Sequence, residues 1–340
     1  MTRFRKILIT GGAGFIGSNF VRYMLRRTPC LPAGRKDEGR RTKIINLDKL
    51  AYSGNLDNLR DVEKDPRYKF VKGDICDKRL VFKLVKECDA IINFAAESHV
   101  DRSIKDATEF IRTNVFGTQV LLDAAKKYRI KRIIHISTDE VYGSIAKGSF
   151  NENSALQPNS PYAASKAAAD LLARSYFVTY KLPVIIVRSS NNFGPYQYPE
   201  KIIPLFITNA LENRKVPLYA DGKNVREWLY VPDNCDAINF IFKFGKIGEI
   251  YNIGGGNEMK NIDLTKKILN ILRKSKSLIK FVKDRPGHDK RYALNFEKLR
   301  RLGWKPRYSF EDALKETVLW YKENSKWWKR LKKRREKKFW

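Results

Sequence analysis

Residues 6–17 read Lys6-Ile7-Leu8-Ile9-Thr10-Gly11-Gly12-Ala13-Gly14-Phe15-Ile16-Gly17, an apolar strand pattern that runs into glycines, and a helix-like segment follows over 18–27. Both G-x-G-x-x-G, starting at Gly12, and a G-x-x-G-x-x-G variant, starting at Gly11, fit this frame. Glycines between a strand and a helix allow a tight turn and let the backbone approach a pyrophosphate at the helix N-terminus. The stretch therefore predicts a dinucleotide-binding unit.

Strand-like and helix-like segments alternate along the first half of the chain. An irregular loop over 28–41, which contains prolines and glycines among charged residues, is the longest predicted interruption. The predicted strands are 6–10, 43–47, 68–72, 90–94, 131–136 and 183–188, and the later predicted helices are 79–86, 107–128 and 162–180. This alternation predicts an α/β fold, a doubly wound parallel Rossmann sheet with right-handed crossovers.

Acidic and small residues follow the predicted strands where a dinucleotide would lie. Asp48, at the end of the second strand, suits hydrogen bonding to adenosine ribose hydroxyls and would repel a 2′-phosphate, which favours NAD over NADP. Lys49 beside it argues the other way. Asp74 follows the third strand, near the expected adenine position, and Ala95-Ala96 leave room for a flat cofactor.

The fifth strand leads into Ser137-Thr138-Asp139-Glu140-Val141-Tyr142-Gly143. Ligands of open parallel sheets bind outside the carboxyl ends of the strands, so the two adjacent acids should face a bound molecule. We expect Asp139 and Glu140 to take opposite proton-transfer roles, because two carboxyl groups in unlike environments can serve as acid and base.

Tyr162 and Lys166 open the long helix with a spacing of four residues, which places them on one helical face about 6 Å apart. A free tyrosine has a pKa of about 10, and nearby cations favour its phenolate. Lowering that pKa by about three units requires roughly 4 kcal/mol. We expect Lys166 and an oxidised nicotinamide to supply it.

The loop after the fourth strand contains Ser98 and His99. The chain has three histidines and His99 has no partner at metal-ligand spacing, so we predict a loop residue that forms hydrogen bonds rather than a catalytic group. Ser98 is the better candidate for ligand contact.

The length and composition indicate a globular protein. The 340 residues are 43% hydrophobic, and the four cysteines (Cys30, Cys76, Cys88, Cys235) show neither disulfide nor metal spacing. The sequence shows no signal peptide and no long apolar run. We therefore expect a cytoplasmic protein without a metal.

The charge is unusual, because 68 Lys and Arg against 37 Asp and Glu give +31. Such a field attracts anionic nucleotides, and also nucleic acid or membrane surfaces. The segment 326–340 interleaves basic and aromatic residues, as nucleic-acid and lipid contacts do. We favour a solvated helix end instead, since basic residues are spread through the whole chain.

Nine segments together resemble the extended short-chain dehydrogenase/reductases and, among them, the dTDP-glucose 4,6-dehydratases. The Thr138-Asp139-Glu140 corner discriminates best, because epimerases of that superfamily commonly carry small hydroxyl residues there. The segments are 11–17, 48–50, 95–103, 137–143, 162–166, 190–195, 226–231, 251–255 and 284–289.

The resemblance implies dehydration of dTDP-glucose to dTDP-4-keto-6-deoxyglucose by internal hydride transfer through bound NAD, in deoxysugar biosynthesis. Tyr162, aided by Thr138 and Lys166, would remove the 4-hydroxyl proton. Glu140 would then take the C5 proton as base, and Asp139 would protonate the 6-hydroxyl as acid so that it leaves as water. For this role the pKa of Asp139 must be raised, by burial or by Glu140.

The resemblance also implies two binding sets. The physical case is clearest for Arg226 and Arg285, whose planar guanidinium groups bind phosphate bidentately. The cofactor set is Gly11, Gly14, Phe15, Ile16, Gly17, Asp48, Lys49, Leu50, Asp74, Ile75, Phe94, Ala95, Ala96, Ser98, Thr113, Tyr162, Lys166 and Asn192. The sugar-nucleotide set is Ser98, Thr138, Asn191, Lys201, Ile202, Pro217, Leu218, Tyr219, Arg226, Asn261, Asp284, Arg285, His288 and Asp289.

The expected organisation is an NAD-binding domain over 1–188, to which about 232–255 returns. A smaller α/β sugar-nucleotide-binding lobe covers mainly 189–325, and a basic aromatic tail covers 326–340. The resemblance further implies a homodimer formed through helices 107–128 and 160–180. Three departures from the family pattern are the long 28–41 loop, a compact stretch between Gly143 and Tyr162, and Phe193 where tyrosine is more usual.

Two alternative functions, and the choice of nucleobase, stay open at this point. A related UDP-sugar dehydratase, decarboxylase or epimerase would use the same fold, and thymine differs from uracil by one methyl group, worth about 1–3 kcal/mol of discrimination. A nucleic-acid or membrane-associated protein that keeps an NAD-binding fold is the alternative from a different class.

Overall fold

A computed structural model describes residues 4–26 and 42–336, with side chains to residue 333. The loop predicted over 28–41 lies outside the described residues. The strands are β1 Lys6–Thr10, β2 Lys43–Asp48, β3 Tyr68–Lys72, β4 Ala90–Asn93, β5 Arg132–Thr138, β6 Val184–Ser189, β7 Asn191–Phe193, β8 Val216–Tyr219, β9 Val225–Tyr230, β10 Ile250–Ile253, β11 Glu258–Lys260 and β12 Ile279–Val282.

The helices fill the connections between strands. A π-helical segment, Ile111–Phe116, joins α4 to α5, and short 3₁₀ turns cover Leu56–Leu59, Asp139–Tyr142 and Lys276–Leu278. The α-helices are α1 Phe15–Arg26, α2 Lys78–Val85, α3 Val100–Lys105, α4 Thr108–Phe110, α5 Gly117–Lys127, α6 Pro161–Tyr180, α7 Ile202–Leu211, α8 Val231–Phe244, α9 Asn261–Ile271, α10 Glu297–Arg301, α11 Phe310–Glu323 and α12 Ser325–Glu336.

Seven strands form one parallel sheet in the order β10-β6-β5-β4-β1-β2-β3. Ile7 and Ile9 of β1 face a core that includes Phe20 of α1 and Ile238 of α8, whereas Leu8 faces a core that includes Leu121 of α5. Burial on both faces explains why inner strands such as β1 and β4 read as continuous apolar runs, whereas the edge strand β3 is only partly buried. The predicted doubly wound α/β fold is confirmed.

The second half of the chain builds a smaller lobe but also contributes to the sheet. β9 pairs with β7 and β11, β8 pairs with β12, and α7, α9 and α11 pack around them. β10 follows β7 to β9 in the chain, yet it pairs with β6 and forms an edge of the seven-stranded sheet. The chain therefore leaves the sheet to build part of the lobe and then returns, and the lobe lies over the carboxyl ends of the strands.

Within the described residues, the basic tail forms α12, and the side chains of Trp327 and Trp328 face inward. Trp328 is 1% exposed and donates its indole N–H to the Tyr321 carbonyl at 2.7 Å. Trp327 donates its indole N–H to Asn58 Oδ1 at 3.0 Å. The expectation of a solvated helix end is therefore wrong for these rings, because the apolar face of α12 completes the core of the lobe.

Two further findings concern the described part of the chain. None of its helices combines the length and the apolar character that crossing a bilayer requires. Within 4–26 and 42–336, no group of three or more His, Cys, Asp or Glu side chains is arranged to hold a metal ion.

Candidate active site

A cavity of about 280 Å³ lies at the carboxyl ends of the strands, between the sheet and the lobe. It brings together residues from both predicted binding sets and from the predicted catalytic group. Those that line it are Gly11, Gly14, Phe15, Ile16, Gly17, Asp48, Lys49, Asp74, Ile75, Phe94, Ala95, Ala96, Ser98, Thr113, Thr138, Glu140, Tyr162, Lys166, Asn191, Asn192 and Lys201.

The glycine turn after β1 leaves an open cradle at the start of α1. Gly11 adopts a positive φ of 69°, and a Cβ there would lie 2.6 Å from the Ala95 nitrogen. A Cβ on Gly17 would lie 2.3 Å from the Gly11 oxygen, so both positions require glycine. Gly12 instead packs against Asn46 outside the cavity lining. The frame that begins at Gly11 is therefore the one that faces the cavity.

Asp48 ends β2 beside this cradle. Its two oxygens accept hydrogen bonds from the backbone nitrogens of Ala13 at 2.9 Å and Leu50 at 2.7 Å. Lys49 donates to Thr113 Oγ1 at 3.0 Å and lies 3.3 Å from Glu97, so its charge is already balanced on the protein. The cradle and this carboxylate fit a dinucleotide that carries free ribose hydroxyls.

The acidic corner forms because β5 ends at Thr138 and a 3₁₀ turn begins. The Thr138 hydroxyl accepts from the Glu140 backbone nitrogen at 3.3 Å and donates to Asp139 Oδ1 at 3.1 Å. Asp139 Oδ2 and Glu140 Oε2 are buried without a hydrogen-bond partner in the described structure. Glu140 lines the cavity, whereas Asp139, which is 1% exposed, lies behind the lining.

Burial raises the pKa of Asp139 well above its ordinary value, and the charges of Glu140 and Glu227 act in the same direction. Burial also raises the pKa of Glu140, but Arg285, Lys201 and Arg226 oppose that rise. The raised pKa that the sequence required of Asp139 is therefore present. Arg226 also lowers the pKa of Asp139, but three cations act on Glu140, the carboxyl group that faces the cavity.

A buried polar chain holds this turn in place. The Tyr142 hydroxyl donates to Asn252 Oδ1 at 2.9 Å and accepts from Arg188 at 2.8 Å. Arg188 Nε donates to Asp170 at 2.8 Å, and Asp170 lies 3.4 Å from His135 Nε2 on β5. The chain links the turn to the sheet, so the two acids are positioned by residues far away in sequence.

Tyr162 reaches the same cavity from the first turn of α6, which the Ser160 side chain caps by accepting from the Ala163 nitrogen at 3.1 Å. Burial raises the pKa of Tyr162 well above 10, Glu140 adds to the rise, and a hydrogen bond with Thr138 opposes it. Lys166 Nζ donates to the Ile136 carbonyl at 2.6 Å. Lys166 is not among the main causes of this pKa, so the lowering expected from Lys166 and an oxidised nicotinamide together stays a prediction.

Basic side chains from the lobe surround Glu140. Lys201 Nζ donates to the Ser98 carbonyl at 2.9 Å, and Arg226 donates to the Asp289 carbonyl at 2.9 Å. Arg285 lies 3.5 Å from Asp101. All three cations act on the pKa of Glu140. Arg226 and Arg285 lie beyond the cavity lining, where the remainder of an anionic ligand could extend.

The other predicted binding residues lie outside the lining. Leu50 adopts a positive φ beside Asp48, and the Leu218 side chain is buried in the lobe core, so only its backbone could meet a ligand. His288 Nδ1 lies 2.6 Å from Asp284 Oδ1. Also outside are Ile202, Pro217, Tyr219, Asn261 and Asp289.

The cavity also contains residues that the sequence reasoning missed. Tyr52, Gln197 and Tyr198 line it, together with Ser189 and Ser190. The position of Tyr52, four residues after a strand that ends at the ligand edge, was a usable signal. Gln197 and Tyr198 carried none, because their placement depends on how the lobe packs.

His99 lies directly before α3 and outside the cavity lining, and its Nε2 is 3.6 Å from Glu200 Oε1. Its role as a loop residue that forms hydrogen bonds stays a prediction.

Comparisons with known proteins agree on one family. The family model described as GDP-mannose 4,6 dehydratase matches residues 8–317. The dTDP-glucose 4,6-dehydratase of Streptomyces niveus is 52% identical over 328 residues, 96% of this chain and 96% of that protein. The low-salt glycan biosynthesis protein Agl12 of Haloferax volcanii is 52% identical over 315 residues, 93% of this chain and 98% of that protein.

A solved structure shows the same architecture. The crystal structure of the dTDP-glucose 4,6-dehydratase of Streptomyces venezuelae, with NAD and dTDP bound, superimposes with a TM-score of 0.91. It is 52% identical, and the match covers 96% of this chain and 99% of that chain.

Proposed function

Because the chain belongs to the family of dTDP-glucose 4,6-dehydratases, we infer that it is an NAD-dependent hydro-lyase. It converts dTDP-glucose to dTDP-4-keto-6-deoxyglucose, a precursor of deoxysugars. One observation carries the chemistry: the phenol of Tyr162 and the carboxyl group of Glu140 share one cavity, and Asp139, whose pKa burial raises, lies directly behind it.

NAD, when bound in the glycine cradle, supplies an acceptor for the hydride of sugar C4 and later returns that hydride to C6. We propose that Tyr162, hydrogen-bonded to Thr138, takes the proton of the 4-hydroxyl group as its phenolate. The positive charge of a bound oxidised nicotinamide would oppose the burial that raises the pKa of this phenol. The resulting 4-ketone makes the C5 proton acidic. The other two groups of the corner then serve the loss of water.

Glu140 is the proposed base at C5, because it lines the cavity and because three nearby cations favour its ionised form. Asp139 is the proposed acid at the 6-hydroxyl, because burial and two neighbouring carboxylates keep its proton on. Since Asp139 lies behind the lining, its proton reaches the sugar only if the acid turns toward the cavity or the substrate enters deeply.

We propose that Arg226, Arg285 and Lys201 hold the diphosphate and orient the sugar. Their support is the cationic wall around Glu140 and the fork geometry of arginine, which matches phosphate oxygens. The remaining members of the two predicted binding sets stay predictions.

The decisive experiment is incubation of purified protein with dTDP-glucose and, separately, with UDP-glucose and with a UDP-linked uronic acid. The inference predicts a 4-keto product that has lost one water from dTDP-glucose, detected by mass spectrometry. Loss of carbon dioxide from a uronic acid substrate, or an isomer of unchanged mass, would instead identify a decarboxylase or an epimerase. Equal rates with both nucleotides would show that the thymine methyl group is not discriminated.

We further propose a homodimer built on α3 to α6. The support is a set of exposed apolar side chains on these helices, which an isolated globular surface rarely groups together. A Leu171→Glu variant should sediment as a monomer if α6 lies in the interface. The exposed residues are Ile104, Ile111, Phe116, Leu171, Val178 and Tyr180.

We propose a cytoplasmic location, since Cys76, Cys88 and Cys235 are all unpaired. Nucleic-acid binding through the tail is not favoured, because in its described part the Trp328 ring is buried and the half-buried Trp327 ring is hydrogen-bonded to Asn58. Deleting residues 334–340, which leaves Trp328 in place, and measuring salt-dependent DNA binding tests this directly.

A further inference from the structure

Tyr52 lies in the loop between β2 and the 3₁₀ turn at residues 56–59, and it lines the cavity. The guanidinium carbon of Arg102 lies 3.7 Å from the centre of its ring. The ring of Tyr198 meets it edge to face at 5.6 Å, and its hydroxyl is hydrogen-bonded to Ser98. Arg102, Tyr198 and Ser98 thus hold Tyr52 from three sides. No step of the proposed mechanism involves Tyr52.

The strand order shows where these contacts run. β1 lies between β2 and β4 in the sheet. Tyr52 follows β2, whereas Ser98 and Arg102 follow β4, so contacts between them must cross the carboxyl end of β1. That end carries the glycine cradle of residues 11–17. The ring therefore arches over the position where the pyrophosphate of a dinucleotide lies.

Both ends of the loop are tied down beside the cradle. The Leu50 nitrogen donates to Asp48 Oδ1 at 2.7 Å, and the Asn55 nitrogen donates to the Ala13 carbonyl at 3.0 Å. Arg102, which stacks on the ring, is 3.0 Å from the buried carboxylate of Glu200. The loop is thus a strap with fixed ends and a fixed apex.

We propose that Tyr52 closes this strap over the cofactor cleft and retains NAD throughout turnover. The proposal rests on the proposed function, in which each cycle begins and ends with the same oxidised cofactor and gains nothing from its release. An aromatic ring stacked under a guanidinium group and wedged between two walls of the cleft must move before a dinucleotide can leave.

The test compares Tyr52→Ala, Tyr52→Phe and the control Tyr308→Ala, which removes a partly exposed tyrosine ring outside the cavity. Each protein is purified with its cofactor, desalted repeatedly, and assayed for retained NAD by acid release and chromatography. We expect Y52A to lose NAD about tenfold faster than the unchanged protein, because its ring contacts are gone. We expect Y52F and Y308A to stay within about threefold, since both keep the ring over the cleft.

A second readout separates retention from simple damage. Y52A should inactivate during turnover and recover when NAD is added, whereas a misfolded variant would not recover. If Y52A melts early, Arg102→Met loosens the ring without removing it and should also speed NAD loss.

Two outcomes overturn the proposal. One is NAD retention by Y52A equal to that of the unchanged protein, and the other is equal loss from Y52A and Y52F. Because retention is measured without substrate, it decides the role of Tyr52 even if dTDP-glucose is not dehydrated, which would contradict only the proposed function.

Discussion

Lys166 allows a quantitative test of how much unfolding free energy the protein loses by burying a charged side chain in the site. It is fully buried on α6, and its ammonium donates to the Ile136 carbonyl at 2.6 Å. Burial lowers its pKa from 10.5 to about 8, and the charge of Asp170 only partly opposes this. Replacing it with methionine keeps the length of the side chain and removes the charge.

The size of the effect follows from the two pKa values. Between pH 8 and 10.5 the native protein has released this proton and the unfolded chain still holds it, so the free energy of unfolding rises with pH. At about 1.4 kcal/mol per pH unit the full rise is about 3 kcal/mol. Below pH 8 the lysine is charged in both states, and the cost of burying the charge is complete.

We therefore expect Lys166→Met, stripped of cofactor, to be more stable than the unchanged protein at pH 7. The gain should be about 2 kcal/mol, after subtracting about 1 kcal/mol for the lost hydrogen bond, and should shrink as pH approaches 10. Urea unfolding of both proteins from pH 7 to 10 measures the difference, in which other titrating groups cancel. Lys223→Met, at a lysine whose side chain is 73% exposed, is the matched control. Parallel curves for K166M and the unchanged protein would refute the reasoning.

The other predictions concern the acids, the cradle and the tail. Glu140→Gln should slow water loss by about 10²- to 10⁴-fold without lowering the melting temperature, and an unimpaired rate would remove Glu140 from the mechanism. Asp139→Asn should slow the same step. The activity of the unchanged enzyme should fall as pH rises through the raised pKa of Asp139, because the mechanism needs this acid protonated. A rate that keeps rising with pH would contradict this. Gly17→Ala should abolish NAD retention, since its Cβ would meet the Gly11 oxygen at 2.3 Å, whereas Gly148→Ala, with open space around it, should retain NAD. Trp328→Ala should cost about 3–5 kcal/mol of unfolding free energy, and a negligible cost would mean that α12 is not part of the core.

The strand ends and the glycine cradle could be predicted because they depend on local pattern. A run of β-branched residues that ends at Thr138 places the backbone of the next two residues at the carboxyl end of β5. It does not fix where they point: the turn at 139–142 sends Glu140 into the cavity and leaves Asp139 behind it. That division depends on Tyr142 and its buried partners, which come from three other strands and helices.

The pKa of Tyr162 could not be predicted for a related reason. Helical spacing correctly put Lys166 on the same face of α6, but the ammonium binds the backbone of β5 instead of acting mainly on the phenol. Burial by the lobe, which sequence spacing does not report, then dominates the pKa. The burial of Trp328 and the inward orientation of Trp327 could not be predicted either. Which face of a basic helix is buried depends on the elements that pack against it.

The late arrival of β10 in the sheet bears on synthesis at the ribosome. The edge of β6 gains its partner only when residues 250–253 have emerged, after the polypeptide for β7 to β9 and α8. Until then an apolar strand presents unpaired peptide groups to other nascent chains, the kind of edge that invites aggregation. Chaperone demand should therefore be greatest while residues 190–250 are being translated, and a fragment that stops at residue 188 should precipitate rather than fold.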